Sequence, residues 1–216
     1  MLKKGFTLIE LMISLLIASV VLISLATMFS SVIIHSKSQL NAAKLRDSLQ
    51  FTLDIMTNDI RRAGYWADAH TDVGTGANNN PFMEAATDVF ISANNSCILL
   101  SYDADHSGNL PSINPTTDDE RYGFRLINNT IQARPPGATF SCTAATDNWE
   151  NITDVNVVSI TNLGFIPDFK TIDINGSSQL ILRNIDITIA GHLTNDSTIA
   201  GSITRRVRVR NSKFIP

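Results

Sequence analysis

A long apolar segment near the amino terminus constrains this chain more than any other feature. After Glu10, no charged residue occurs until Lys37, and 18 of the 24 residues from Leu11 to Ile34 are apolar. The other six are Ser or Thr, whose hydroxyls can donate hydrogen bonds to carbonyls of the preceding helical turn. At about 1.5 Å per residue, a helix over these 24 positions reaches roughly 36 Å, which exceeds a hydrocarbon core of about 30 Å. The sequence therefore predicts a helix that can span a bilayer.

The residues before this segment predict its orientation and processing. A secretory signal has a shorter apolar stretch, and its small-residue cleavage site follows that stretch. Here the small residue, Gly5, precedes the apolar run, so cleavage after Gly5 leaves the hydrophobic helix in the product. Lys3 and Lys4 predict a cytoplasmic amino terminus by the positive-inside rule, with the residues after Lys37 outside the cytoplasm.

Glu10 is the anomalous residue of the segment. A carboxylate within an apolar helix costs at least a few kcal/mol, and such residues normally have a partner. Cleavage after Gly5 creates a cationic amine on Phe6, about one helical turn from Glu10. One rigid helix holds the two groups in poor geometry, whereas two staggered neighbouring helices can pair them. We therefore expect assembly to neutralise Glu10; the alternative is an uncleaved anchor with an incidental acid.

Residues 4–10 read Lys-Gly-Phe-Thr-Leu-Ile-Glu. With the apolar run behind them, they resemble the type III signal of type IV pilins and of type II secretion pseudopilins. The resemblance implies that a prepilin peptidase cleaves after Gly5 and methylates the new amino-terminal Phe6. It also implies that Glu10 neutralises the amine of a neighbouring subunit as the subunit leaves the membrane.

The predicted helix continues well beyond the membrane-spanning part. No Gly or Pro occurs from Phe6 to Ala63, a stretch of 58 residues, or roughly 87 Å of helix. Arg61, Arg62 and Gly64 predict its end, as a cationic last turn and a C-cap. We expect the second half to pack on a globular domain through one apolar stripe, although a coiled coil shows the same pattern. The stripe comprises Ala42, Leu45, Leu49, Leu53, Met56, Ile60 and Ala63.

The remainder of the chain predicts an antiparallel β domain. Residues 67–96 are rich in Gly, Asn, Asp and Ala and predict a long loop with one helical turn. Asn128 and Asn129 predict a tight hairpin turn. Strand-like runs, several with alternating apolar residues, are Cys97–Tyr102, Arg121–Ile127, Thr130–Arg134, Val155–Ile160, Lys170–Ile174, Gln179–Ala190 and Ile203–Arg210.

These elements predict an α+β, pilin-like fold, in which one long N-terminal α-helix packs on a mostly antiparallel β-sheet domain. The first half of that helix spans the membrane. The predicted organisation is a cleaved leader at 1–5, a transmembrane and filament-core helix half at 6–36, an amphipathic half at 37–64, and an extracytoplasmic globular domain at 65–216.

Four shorter motifs resemble those of PilW-type minor pilins. They are the helix end at Asp59–Trp66 and the stretches Cys97–Asp103, Arg121–Leu126 and Arg206–Asn211. The resemblance implies a minor pilin that primes assembly of a type IV pilus, used for motility, adhesion or DNA uptake, and caps its tip. The alternatives are a J-like minor pseudopilin of a type II secretion system and a DNA-contacting competence pilin.

The same resemblance implies partners and a location. The partners are other minor pilins, the major pilin, prepilin peptidase and an inner-membrane assembly platform. The location is the bacterial inner membrane, with a single pass, a cytoplasmic amino terminus and a periplasmic carboxyl-terminal domain. From there the protein enters the pilus, at its tip.

The two cysteines, Cys97 and Cys142, both lie in the part predicted to be outside the cytoplasm. Cysteines in an oxidising compartment most often pair. We therefore expect a disulfide bond that constrains the long loop between the early strands; the alternative is two free buried thiols.

Residues 103–110 imitate the front of a calcium-binding loop, with oxygen ligands at alternate positions and Gly108 at the sixth. Asn114 stands where a bidentate Glu is expected, so a complete site needs Asp118, Asp119 or Glu120. The alternative is a polar β-turn whose side chains bond the backbone. The candidate calcium ligands are Asp103, Asp105, Ser107 and Asn109; no other cofactor is predicted.

Charge is distributed unevenly along the chain. Between Arg62 and Arg121 there are nine acids and no Lys or Arg, which indicates a solvated loop, or a surface for a basic pilin or divalent ions. Residues 205–213 carry five basic side chains, which could contact DNA phosphates or protect an edge strand. The net charge of −3 excludes a broadly basic nucleic-acid binder.

The sequence shows no pattern that indicates catalysis. The four histidines have no His-x-x-x-His spacing, and neither a nucleophile-elbow motif nor a phosphate-binding loop occurs. We therefore expect a protein that is not an enzyme.

Overall fold

The computed structural model describes residues 5, 7–72, 77–111, 120–143 and 149–216. Its contacts divide the chain into two compact units, residues 1–43 and 44–216. Helix α1 runs from Leu8 to Arg62 and contributes residues to both units. The structure thus confirms the long amino-terminal helix that the absence of Gly and Pro predicts. The domain boundaries at residues 5, 36 and 64 stay predictions.

In the first unit, α1 exposes its side chains from Leu8 to Leu40. By length and composition, this part of the described chain is apolar enough to cross a membrane. Six of its Ser and Thr hydroxyls donate hydrogen bonds to carbonyls three or four residues earlier, so the polarity of these six is satisfied within the helix. The donors are Ser14, Ser19, Ser24, Thr27, Ser30 and Ser31.

In the second unit, α1 buries one stripe of side chains. Leu53, Met56 and Ile60 are fully buried, as the spacing of the apolar residues predicts. Ala42 is exposed, so its assignment to the stripe was wrong. Ala42 belongs to the first unit, which ends at residue 43, and the buried stripe begins with Leu45 in the second unit.

The first sheet is antiparallel, with strand order β1-β2-β3-β4-β5. Asn128 and Asn129 join β3 to β4 and have φ angles of 51° and 61°, which confirms the predicted two-residue turn. The strands are β1 (Phe90–Ile91), β2 (Cys97–Ser101), β3 (Arg121–Ile127), β4 (Thr130–Ala133) and β5 (Glu150–Asn151).

The second sheet is centred on β7. Strand β6 pairs with one side of β7, while β8 and then β9 pair with the other, all antiparallel. Ile185, Ile187 and Ile189 alternate along β7 and are fully buried, as predicted. The strands are β6 (Val158–Asp173), β7 (Gln179–Leu193), β8 (Asp196–Arg208) and β9 (Lys213–Ile215).

One hydrophobic core joins the helix to both sheets. Leu53 of α1, Phe124 of β3, Phe165 of β6 and Ile187 of β7 belong to a single buried cluster. Strand β6 lies against β2, β3 and β4, so it connects the two sheets. This packing of a helix on antiparallel sheets confirms the predicted α+β fold.

Three predicted strands were wrong in their limits. Val155–Ile160 and Lys170–Ile174 are not separate, because the continuous strand β6 covers half of the first and most of the second. The strand predicted at Ile203–Arg210 starts earlier, because β8 begins at Asp196 and ends at Arg208. Pro167 lies inside β6 and has no N–H to donate, which an edge strand tolerates. The predicted loop at 67–96 contains two short 3₁₀ helices, Ala67–Asp72 and Pro81–Met83, and strand β1.

Candidate functional site

The amino-terminal signal coincides with the start of α1. Thr7 occupies the N-cap position, and its amide and hydroxyl donate hydrogen bonds to Oε2 of Glu10 across 2.9 Å and 2.8 Å. The Glu10 amide donates back to the Thr7 hydroxyl across 3.4 Å. This reciprocal arrangement is a capping box. Gly5 is exposed, and Phe6 lies outside the described residues.

No role was predicted for Thr7. The sequence did contain the pattern of a capping box, which is Thr at the N-cap followed by Glu three residues later. Since the first amides of a helix carry partial positive charge, the Glu10 carboxylate is favourably placed at this end of α1. In the described structure Glu10 therefore has donors within its own helix.

A tyrosine pair connects the end of α1 to the first sheet. The Tyr102 hydroxyl donates a hydrogen bond to Oδ1 of Asp59 across 3.0 Å. Tyr102 stacks on Tyr122 with ring centroids 4.2 Å apart, and the Arg62 guanidinium lies 5.6 Å from the Tyr102 ring. Burial raises the pKa of Asp59, while the Tyr102 hydrogen bond and the Arg62 charge oppose that rise.

A disulfide bond joins Cys97 of β2 to Cys142, as predicted, with the two Cα atoms 6.0 Å apart. Cys97 packs with Leu99 and Trp149 in a second, smaller buried cluster. The Arg125 guanidinium lies 4.2 Å from the Trp149 ring. The bridge therefore holds residues after β4 against β2.

Three acids meet where β2 ends and β3 begins. One carboxylate oxygen each from Asp103, Asp105 and Glu120 lies within 4.8 Å of the others. The other two candidate calcium ligands interact with each other: the Asn109 amide donates to the Ser107 hydroxyl across 3.3 Å. The structure therefore groups Asp103 and Asp105 with Glu120. Asn114, Asp118 and Asp119 lie outside the described residues.

The electrostatics of this acid cluster differ from one residue to the next. Burial raises the pKa of Glu120, and the like charges of Asp105 and Asp103 raise it further. Backbone amides of Asp105 and Ala104 oppose this rise. The exposed Asp105 has its pKa lowered, because it accepts hydrogen bonds from Ser107.

Two of the arginines near the carboxyl terminus pair with carboxylates of the same chain. Arg206 contacts Asp186 at 2.7 Å and Asp168 at 3.3 Å, across the outer face of the second sheet. Arg205 pairs with Asp54 of α1. These contacts place guanidiniums on the sheet and provide them with internal counter-ions.

Two comparisons match the two parts of the chain. The prokaryotic N-terminal methylation motif matches residues 1–26, and the family described as prepilin peptidase-dependent protein B matches residues 38–209. The chain belongs to the prepilin peptidase-dependent protein B family. The first match includes Gly5, Phe6 and Glu10, and the second includes both sheets up to β8.

A curated relative supports this family assignment. Prepilin peptidase-dependent protein B of Escherichia coli (strain K12) is 22% identical over 183 residues, which cover 85% of this chain and 86% of the relative. No solved structure matches the chain significantly. The matched motif and the apolar helix together describe a membrane-anchored, pilin-like protein of this family. The narrower resemblance to PilW-type minor pilins stays a prediction.

Proposed function

We propose that this protein is a non-enzymatic minor pilin that takes part in priming a type IV pilus and in capping its tip. Prepilin peptidase cleaves after Gly5 and methylates Phe6, and the rest of the protein stays in the inner membrane with its domain in the periplasm. The main support for this proposal is that the methylation motif at residues 1–26 precedes a domain of a prepilin peptidase-dependent family. The partners in this role are other minor pilins, the major pilin and the assembly platform.

Glu10 performs the assembly step in this proposal. Its carboxylate lies in the first turn of α1, where Thr7 donates two hydrogen bonds to one oxygen, Oε2. The new amine on Phe6 of an adjacent subunit supplies a full positive charge that these neutral donors lack. Transfer of Glu10 from its own cap to that amine then favours two helices side by side over one helix alone.

A charge-specific substitution tests this step. Glu10→Gln keeps an oxygen that can accept the Thr7 hydrogen bonds but removes the negative charge. We expect the variant to remain in the membrane fraction, while the number of pili per cell falls. Asp47→Asn, which neutralises an exposed acid further along α1, is the matched control and should leave piliation unchanged. Normal piliation with Glu10→Gln would contradict the proposed role of Glu10.

Mass spectrometry of the mature protein tests the processing step. We expect the amino-terminal peptide to begin with N-methylated Phe6, and we expect that peptide only in cells that have prepilin peptidase. A mature chain that still begins at Met1 would overturn both the cleavage and the assembly proposals.

Deletion phenotypes separate the pilus role from its alternatives. We expect deletion to reduce piliation and twitching while secretion of folded exoproteins continues. Lost secretion with normal pili would indicate a J-like pseudopilin of a type II secretion system. The DNA-contacting alternative gains no support from Arg206, whose guanidinium contacts Asp186 and Asp168.

A further inference from the structure

The pairing of β2 with β3 brings the three acids together. Ser101, the last residue of β2, pairs with Arg121, the first residue of β3. Asp103 and Asp105 follow β2, and Glu120 precedes β3, so antiparallel pairing places them at the same end of the sheet. One carboxylate oxygen of each acid lies within 4.8 Å of those of the other two, although the acids are up to 17 positions apart.

Two of the carboxylates are buried, and each has one oxygen with a hydrogen-bond partner and one without. Asp103 is 1% exposed and Glu120 is 5% exposed. Oδ2 of Asp103 accepts from the amides of Ala67 and Gly108 across 2.8 Å and 3.2 Å. Oε1 of Glu120 accepts from the amides of Ala104 and Asp105 across 2.5 Å and 3.2 Å.

The other oxygens, Oδ1 of Asp103 and Oε2 of Glu120, are buried and have no hydrogen-bond partner among the described residues. A buried carboxylate oxygen without a partner is costly, and two like charges at this distance repel each other. Backbone amides donate hydrogen bonds to both carboxylates, and these hydrogen bonds would be lost if either side chain rotated towards water. A cation bound between the unpartnered oxygens would remove both costs.

We propose that Asp103, Asp105 and Glu120 form a calcium-binding site at the end of β2 and β3. Three carboxylates are hard oxygen ligands, and calcium accepts six to eight oxygens in a flexible geometry, completed here by backbone carbonyls and water. Magnesium prefers strict octahedral geometry and loses its water reluctantly, so it suits a crowded, partly buried cluster less well. The site does not depend on the proposed pilin role.

Calcium at this position would strengthen one connection in the second unit. The Asp103 carboxylate holds the amide of Ala67, just after α1, and the Trp66 indole donates to the Gly108 carbonyl across 2.8 Å. The ion therefore ties the loop at 102–111 to the segment that follows the helix. Ion binding should raise the thermal stability of the protein.

Calorimetric titration of the full-length protein in detergent tests the proposal. After treatment with a chelator and dialysis, the protein is titrated with CaCl₂ and, in parallel, with MgCl₂. We expect one calcium per chain, with a Kd in the range of about 0.1–1 mM that is typical of extracellular modules, and weaker magnesium binding. We also expect calcium to raise Tm. The absence of both calcium binding and a Tm shift would overturn the proposal.

Three substitutions locate the site. Asp105→Asn changes an exposed side chain and should leave the fold intact, yet it should weaken calcium binding by about tenfold or more, because affinity follows ligand charge. Asp103→Asn and Glu120→Gln keep oxygens for the backbone amides and should have the same effect. Glu84→Gln, at an exposed acid of the same acid-rich stretch, should leave Kd unchanged. Equal Kd values for Asp105→Asn and wild type would also overturn the proposal.

Discussion

The Thr7 hydroxyl lies 2.8 Å from Oε2 of Glu10, and the Thr7 amide lies 2.9 Å from the same oxygen. The single acid of the apolar part of α1 thus has two donors before any neighbouring subunit is present. In hydrocarbon, where water supplies no alternative donors, each of these hydrogen bonds lowers the cost of the carboxylate. In the proposed pilin role, Thr7 therefore stabilises the subunit before it is assembled.

Thr7→Val should make the unassembled protein less stable in the membrane. The substitution keeps the side-chain shape but removes the hydroxyl, and loss of an N-cap hydroxyl costs about 1 kcal/mol. We expect faster turnover in a pulse-chase experiment in cells that cannot assemble filaments. Thr7→Ser retains the hydroxyl and should behave as wild type. In a Glu10→Ala background, which lacks the acceptor oxygen, Thr7→Val should have a smaller effect, and an equal effect would show that Glu10 is not involved.

Asp59 should make the stability of the protein depend on pH. Burial raises its folded pKa above the unfolded value near 3.8, so the ionised form costs folding free energy at neutral pH. This cost disappears as the pH falls through the folded pKa and below the unfolded pKa. We therefore expect Asp59→Asn to increase the free energy of unfolding relative to wild type, most strongly at pH 7. This increase should shrink as the pH falls towards about 4.

Chemical unfolding of the full-length protein at several pH values checks this prediction. Tyr102→Phe is the informative companion variant, because it removes the hydrogen bond that opposes the rise in pKa. It should enlarge the pH dependence attributed to Asp59. If the gain in the free energy of unfolding from Asp59→Asn grew on acidification, the predicted direction of the Asp59 pKa shift would be wrong.

Loss of the disulfide bond should destabilise the second unit. A sequence separation of 45 residues corresponds to about 3–4 kcal/mol in the chain-entropy estimate. We expect Cys97→Ser combined with Cys142→Ser to lower the free energy of unfolding by that amount. Reductant should destabilise wild type to a similar extent and leave the double variant unchanged. An effect of reductant on the double variant would point to another cause.

Gly64 should tolerate substitution less well than Gly176. Both have positive φ angles, 71° and 80°, so an alanine at either position is strained by about 1–2 kcal/mol. At Gly64 a Cβ atom would also clash with Cε of Met83, whereas at Gly176 nothing lies within 4 Å. We expect Gly64→Ala to lower Tm more than Gly176→Ala does. Equal effects would mean that Met83 moves aside freely.

Asp88 should contribute more to stability than Asp186, although each pairs with an arginine. Asp88 pairs with Arg183, whose side chain is 2% exposed, and with Lys213 at 2.7 Å. Asp88→Asn leaves a buried guanidinium without its counter-ion, which costs about 3–5 kcal/mol. Asp186→Asn disrupts a pair with the exposed Arg206 and should have a much smaller effect. Denaturant titration of both variants measures the difference.

Local sequence features accounted for the elements that depend on neighbouring residues. The long helix follows from the absence of Gly and Pro between Phe6 and Ala63. The hairpin at Asn128 and Asn129 follows from residues that accept positive φ angles. The full length of β6 could not be predicted from the sequence, because Pro167 interrupts the strand pattern. Only the strand order of the sheet shows that β6 is an edge strand, which tolerates a proline.

The sequence by itself determined the processing signal, the apolar helix and the alternation of buried residues along the longer strands. Each of these is written in adjacent or regularly spaced residues, so periodicity and steric rules suffice to find it. The sequence left Glu120 as one of three acids that could complete the calcium loop, and only the tertiary structure brought it beside Asp103 and Asp105. Only the tertiary structure placed Asp59 beside Tyr102. Such contacts join residues far apart in the chain, and strand register and helix packing, not local spacing, decide which of them meet.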